Sequence, residues 1–310
     1  MSKKLLSIIV PVFNEEDSIL PFYEKVEETT KDIPVDKEYI FIDDGSTDST
    51  LKVLNSLYEI TFNLHYISFS RNFGKESALY AGLKKSKGNY VVVMDVDLQD
   101  PPELLPLMFD DLENNNYDAV ATMRSNRDGE PKIRSLFSAS FYKIINKISE
   151  TQFVPGARDY RMMTRQMVDA ILTMSEKNRF SKGIFSWVGF HQKYIPFKNQ
   201  ERKTGKTSWS FWSLFTYAID GIVSFSTFPL FMVTIIGLIT FIMALLGAIF
   251  VIGRAITSPG SSAFGWASLI VVLLGVSGIQ LLSIGIIGQY ISKIYIEAKD
   301  RPIYIAKDEK

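Results

Sequence analysis

Residues 91–103 read VVVMDVDLQDPPE, a run of valine and methionine that stops abruptly at Asp95, Asp97, Asp100 and two prolines. Such a run is what a folded chain buries, yet a carboxylate taken out of water is costly unless it is paired. Three carboxylates at the end of a buried strand therefore need partners. Either they cap and solvate a loop, or they hold something positive.

Working outward, the same alternation recurs along the first 200 residues. LLSIIVPV (5–12) reads as a buried strand, and a helical segment follows from Asp17 to Lys31. EYIFIDD (38–44) is a second strand; Asp48 or Ser49 then caps a helix with Leu51, Leu54 and Leu57 on its inner side. LHYISFS (64–70) is a third strand, KESALYAGLKKSKG (75–88) a helix ending at Gly88, and YVVVMD (90–95) a fourth strand. Continuous β-branched runs between helices predict an α/β fold with a mostly parallel sheet covered on both faces. Ligands bind such sheets beyond the carboxyl ends of the strands. Three of these ends are polar: FNEE, DDGSTDST and DVDLQD.

Neither G-x-G-x-x-G nor G-x-x-x-x-G-K-[ST] follows the first strand, which argues against a dinucleotide oxidoreductase or a P-loop NTPase. A nucleotide held without such a loop needs another way to neutralise its phosphates. A divalent cation on one or two carboxylates, completed by phosphate oxygens, supplies one. Asp95-Val96-Asp97 at a strand end suits that role. Charge is balanced, with 34 basic and 34 acidic residues, so no strong field recommends nucleic acid as a partner. The absence of cysteine excludes disulfide and thiolate chemistry, and two histidines, His65 and His191, cannot build a His-rich zinc site.

The last third is different. Between Asp220 and Lys293 the single charged residue is Arg254, and it lies between two long apolar stretches, Pro229 to Gly253 and Gly265 to Ile291. Each is long enough to cross a hydrocarbon core of about 30 Å, which takes roughly 20 residues. Buried core helices rarely run so long without a polar face. Lys198, Arg202, Lys203 and Lys206 precede the pair, and Lys293, Lys299 and Arg301 follow it, so positive-inside bias predicts cytoplasmic ends for a membrane hairpin. The N-terminal run is broken by Pro11 and is read as a strand, not a signal peptide. Ahead of the hairpin, Trp209, Phe211, Trp212, Phe215 and Tyr217 predict an interfacial helix. Four units result: a cytoplasmic domain over 1–200, a juxtamembrane segment over 201–228, two spans within 229–292 and a cytoplasmic tail over 293–310. Gly275, Gly278, Gly285 and Gly288 permit close packing, within the hairpin or between subunits of a homo-oligomer.

IIVPVFNEE, FIDDGSTDST, SRNFGKESALYAGL, VVVMDVDLQDPPE and GARDYRMMTR together resemble the family 2 glycosyltransferases, and within them the polyisoprenyl-phosphate branch of dolichol-phosphate mannose synthases and bactoprenol glucosyltransferases. The likeness extends through ERKTGKTSWS and the hairpin to EAKDRPIYI, nearly the whole chain. It implies a GT-A fold, a nucleotide-diphospho-sugar donor, Mg²⁺ or Mn²⁺, and inverting transfer to a polyprenyl phosphate at the plasma membrane. Carried over by motif, Pro11, Phe13, Glu15 and Asp44 line the donor's base and ribose, while Asp43 either joins them or orients the turn. Asp95, Asp97 and Gln99 hold the metal on the diphosphate, with Val96 between. Asp159, in RDYR, matches the position regarded as the catalytic carboxylate. It accepts a residual proton or orients the phosphate through Arg158 and Arg161. Arg124, Arg134 and Ser138 match positions that grip phosphates, with Arg202 and Lys206 at headgroup height. Asp100, Pro101 and Pro102 read as structural, Asp as a cap and Pro as a first helical turn.

Two other readings compete. A processive polysaccharide synthase shares the strand-end motifs, but it usually carries Q-x-x-R-W and more spans; here the region reads NRFSKGIFSWVGF and a single hairpin follows. A non-catalytic sugar-nucleotide-binding membrane protein would have lost the D-x-D or the RDYR carboxylate, and both are intact. The donor sugar is tilted to UDP-glucose or UDP-N-acetylglucosamine by resemblance alone.

Overall fold

A computed structural model describes residues 3–125, 132–197, 211–257 and 266–310. The first half alternates as expected: β1 (Leu5–Val12), α1 (Ile19–Thr30), β2 (Asp36–Asp43), α2 (Thr50–Ile60), β3 (Leu64–Phe69), α3 (Lys75–Lys85) and β4 (Tyr90–Val93). The chain continues through α4 (Leu105–Asn114), β5 (Ala119–Arg124), α5 (Lys132–Ile148), β6 (Ala157–Thr164), α6 (Arg165–Thr173), α7 (Ser181–Trp187) and β7 (Gln192–Phe197). Three helices follow, α8 (Phe211–Phe225), α9 (Phe228–Thr257) and α10 (Trp266–Ala298), and then a last strand, β8 (Ala306–Glu309).

The strands form one eight-stranded sheet in the order β7-β5-β6-β4-β1-β2-β3-β8. β4, β1, β2 and β3 run parallel, whereas β6 runs antiparallel to both β4 and β5, and β8 antiparallel to β3. The pleat explains the unbroken apolar runs. Ile8, Val10, Val92 and Met94 join the cluster with Phe22, Leu54 and Met108 on one face, while Ile9, Val91 and Val93 pack with Leu79, Met167 and Phe185 on the other. Fully burying one such side chain stabilises the fold by about 1.5–3 kcal/mol.

One local alternative is resolved and one helix end changes. Asp48, not Ser49, serves the start of α2, its Oδ1 accepting from Thr50 N at 3.0 Å. α3 ends at Lys85, before Gly88, because Gly88 is needed for close packing: its N–H donates to Ser7 Oγ at 2.7 Å, and a Cβ there would lie 2.5 Å from that oxygen.

Among the described residues, α9 and α10 are the two helices long and apolar enough to cross a membrane, over Phe228–Arg254 and Leu269–Ala298. Phe241, Leu246, Phe250, Val271 and Leu274 stand exposed on them. The second helix runs beyond the expected end at Ile291, and what was read as a tail is tied to the domain. Glu297 accepts from Lys177 N and Asn178 N at 2.8 and 3.1 Å, and β8 closes the edge of β3. At the other end of the pair, Ser226 Oγ donates to Ile148 O at 2.6 Å, and Tyr290 Oη donates to Ser226 O at 2.6 Å.

Candidate active site

The rim at the carboxyl ends of β1, β2 and β4 gathers the polar clusters. Because β6 is antiparallel to β4, its first residues lie at this same rim. The ladder pairs Val93 with Arg161, and continuing it by two residues sets Asp95 across from Asp159. Lys75, the first residue of α3, reaches between them: its Nζ lies 2.6 Å from Asp95 Oδ1 and 2.9 Å from Asp159 Oδ2. Burial alone would raise the Asp159 carboxyl, but Lys75 first, then Lys182 and Arg161, hold it well below the usual carboxylate range. Burial opposes the charge on Lys75, and Asp159 and Asp95 overcome it, keeping the ammonium firmly protonated. The rim is a carboxylate–ammonium–carboxylate bridge.

Asp97 Oδ1 accepts from Gln99 N at 3.1 Å across a turn in which Leu98 has φ 55°, a left-handed conformation rarely adopted by a branched side chain. Val96 is 4% exposed within the core, so it offers the rim only its main chain. Asp100 is not a cap. It is buried, its carboxyl pushed up by that burial against the pull of Arg158, whose Nε donates to Asp100 Oδ1 at 3.2 Å. Arg158 is thus spent on tying β6 to the turn after Asp97, and Tyr160 Oη adds a 3.2 Å bond to Pro101 O.

At the β2 rim Asp43 Oδ1 accepts from Ser46 N at 2.9 Å and Oδ2 from Ser68 Oγ at 2.7 Å, so both oxygens of Asp43 orient the turn. Asp44 is also buried, Oδ1 accepting from Phe73 N at 2.6 Å and Oδ2 from Gly74 N at 2.9 Å. These bonds lock the loop before α3 onto the β2 end, and so aim Lys75. Gly45, at φ 74°, completes the contact, since a Cβ there would lie 2.4 Å from the Arg71 carbonyl carbon. Pro11, one residue before the end of β1, lies alongside Ile42, Phe13 is exposed at the same rim, and Glu15 Oε2 accepts from Ser18 Oγ at 2.6 Å.

Arg124 ends β5 beside the start of β6, its N–H donating to Gly156 O at 3.0 Å. Arg134 and Ser138 fall one turn apart on α5, with their side chains outside what is described. Arg202 and Lys206 lie outside the described residues.

Lys75 and Lys182 were not identified from sequence. Lys75 carried a signal: a cation at a helix N-terminus opposes the helix dipole, so its position asks for acidic partners. Lys182 carried none, because its neighbourhood with Asp159 arises only when α7 packs under β6.

The family model for glycosyl transferase family 2 matches residues 7–172. Among relatives, CsbB of Bacillus subtilis (strain 168) is 43% identical over 308 residues, covering 99% of this chain and 93% of its own. The bactoprenol glucosyl transferase of Shigella phage SfV is 41% identical over 306 residues, covering 98% and 99%. The prophage bactoprenol glucosyl transferase homolog of Escherichia coli (strain K12) is 40% identical over 306 residues, again 98% and 99%. The chain belongs to glycosyltransferase family 2, and its α/β sheet with two apolar C-terminal helices is the expected architecture.

Proposed function

We propose that this chain transfers one sugar from a nucleotide-diphospho-sugar, UDP-glucose in the first instance, to a polyprenyl phosphate, with inversion at the anomeric carbon. The observation behind it is the bridge of Asp95, Lys75 and Asp159 at the carboxyl-end rim of the sheet. The donor and acceptor follow from relatives named bactoprenol glucosyl transferase that align over nearly the full length.

The donor set fits a divalent ion of the Mg²⁺ or Mn²⁺ kind. Among the described residues no three His, Cys, Asp or Glu side chains converge to hold a metal by protein alone. Two hard carboxylates, Asp95 and Asp97, suit an ion whose remaining positions are filled by water and donor phosphate. Asp95 and Asp97 would hold it, beside Gln99. When bound, it supplies charge neutralisation to the departing diphosphate.

The chain's own residues do the rest. The donor's base and ribose lie against Pro11, Phe13 and Glu15. The acceptor monophosphate, with a second pKa near ~6, is already largely anionic at neutral pH, so a strong general base is not required. Its oxygen forms the bond to the anomeric carbon as the bond to the diphosphate oxygen breaks, the electron pair leaving with the nucleotide. Asp159, held anionic beside Lys75, orients the acceptor side through that lysine and Arg161. Arg124, Arg134, Ser138, Arg202 and Lys206 hold phosphate.

The membrane reading has its own support. The start of α9 and the end of α10 both meet the catalytic domain, as a hairpin with both ends on one side requires. With the basic residues that flank it, that side is cytoplasmic.

Nucleotide release by the purified protein, measured across UDP- and GDP-sugars with and without undecaprenyl phosphate and EDTA, tests the proposal. Release dependent on one donor, the lipid and the metal is expected. Release that ignores the lipid would overturn the acceptor assignment.

A further inference from the structure

EAKDRPIYI, residues 297–305, follows the second long apolar helix, and the proposed chemistry uses none of it. Asp300, at φ 44°, turns the chain out of α10, and its Oδ1 lies 3.0 Å from Lys177 Nζ. Because β8 is antiparallel to β3, the segment enters the sheet at the carboxyl end of β3, which is the rim of the site. There Ile305 O accepts from Ser70 N at 2.9 Å. Tyr304, half-buried, lays its ring on Phe69, with centroids 4.9 Å apart and planes 20° from parallel. Phe69, 2% exposed, meets the Phe73 ring edge-on at 5.7 Å. All three pack against Ile42, Ile67 and Ala78.

These rings sit on the loop that leads into Lys75. Asp44 grips that loop from the β2 end, through Phe73 N and Gly74 N. The tail grips it from the β3 side, through Ser70 N and the stack of Tyr304, Phe69 and Phe73. The first grip fixes two N–H groups; the second seats the Phe73 side chain. Gly74 cannot replace either. It has φ 94°, and a Cβ there would meet nothing within 4 Å, so no packing of its own steadies the turn between Phe73 and Lys75.

We propose that Tyr304 is a positioning residue for the transfer: by seating Phe69 and Phe73 it aims Lys75 at Asp95 and Asp159. It touches no substrate and acts through the loop. The inference rests on the reaction proposed above, and it makes the segment after the second apolar helix a working part of the catalytic rim.

Hydrogen exchange over residues 70–76, in the full chain in detergent, tests it together with lipid-dependent nucleotide release. Tyr304→Ala is expected to speed exchange there about tenfold and to lower kcat about tenfold, the size of one lost aromatic pair. KM for undecaprenyl phosphate should stay within about twofold, since the acceptor contacts are untouched. Tyr304→Phe keeps the ring and should restore both exchange and kcat. Asp308→Ala removes the bond from Tyr66 Oη at 2.9 Å, further along β8. It should lower Tm while leaving kcat and the exchange of 70–76 unchanged. Unchanged kcat in Tyr304→Ala would overturn the proposal. So would an equal loss of kcat in Asp308→Ala, because undocking of the strand would then explain both. No release by the unsubstituted chain with any donor would overturn the reaction itself; faster exchange in Tyr304→Ala would then still support the grip on the Lys75 loop, and unchanged exchange would overturn that as well.

Discussion

The sheet carries carboxylates at both of its ends, and two of these clusters are satisfied in opposite ways. At the amino end, Glu38 sits beside Ser7 in the β1–β2 register, accepting from Ser7 Oγ at 2.5 Å and from Lys87 N at 2.8 Å. Ser7 in turn accepts from Gly88 N. Every partner there is a neutral donor fixed by the fold. At the carboxyl end Asp43 and Asp44 are held by neutral donors as well, but the half-buried Asp95 and Asp159 share the ammonium of Lys75. A closed hydrogen-bonded cluster stabilises and exchanges with nothing. An ion bridge can give up its cation to an incoming one, and so it belongs where a charged substrate arrives.

Four substitutions would break or sharpen that contrast. The largest effect is expected from Asp159→Asn, which should lower lipid-dependent nucleotide release by about a hundredfold or more with the protein still folded. Undiminished transfer would remove this carboxylate from the chemistry. Next is Lys75→Met, which leaves two carboxylates facing each other without a cation. A loss of about 1–3 kcal/mol in the donor-free protein is expected. Thermal unfolding with and without UDP and Mn²⁺ checks it: added ligand should recover more of the Tm in the variant than in the unsubstituted chain. Equal recovery in both would show that the lysine and the ion do not share a place.

At the opposite end, Glu38→Leu strips acceptors from Ser7 and Lys87 and should cost about 1–3 kcal/mol in urea unfolding. Donor affinity should not change, and a loss of it would mean that the two ends are coupled. The smallest effect concerns Glu76, which accepts from Ser181 N at 2.9 Å and from its hydroxyl. Burial, against those bonds, pushes its carboxyl up to about 7 from an ordinary 4.5. Between those values the folded protein holds a proton that the unfolded chain has released, so stability falls as pH rises through the window. Glu76→Gln should flatten that slope, leaving stability at pH ~5 nearly unchanged and raising it at pH ~8. Unfolding curves across that range decide it.

The same contrast explains what could be read in advance. β1, β4 and the acidic strand end were legible because their signal is local: a buried run, then residues that cannot be buried alone. α9 and α10 were legible for the same reason. The last strand was not. AKDE, the sequence of β8, has little strand preference; it becomes one because β3 has an open edge and Tyr66 Oη meets Asp308 Oδ2 at 2.9 Å while Lys85 Nζ meets Glu309 Oε1 at 2.7 Å. Arg158 and Asp44 were legible as polar residues near a site. That each is consumed in holding one loop to another depended on packing.

By itself the sequence determined the strand-and-helix alternation, the rim where carboxylates end their strands, and the apolar pair, since each follows from a pattern within about 30 residues. Tertiary structure alone decided which charges meet. Asp95 and Asp159 stand 64 residues apart in the chain and become neighbours through the antiparallel β4–β6 register. Lys75 reaches both because Asp44 pins the loop before it. Electrostatic pairing acts over a few ångströms in space, and no periodicity along the chain records it.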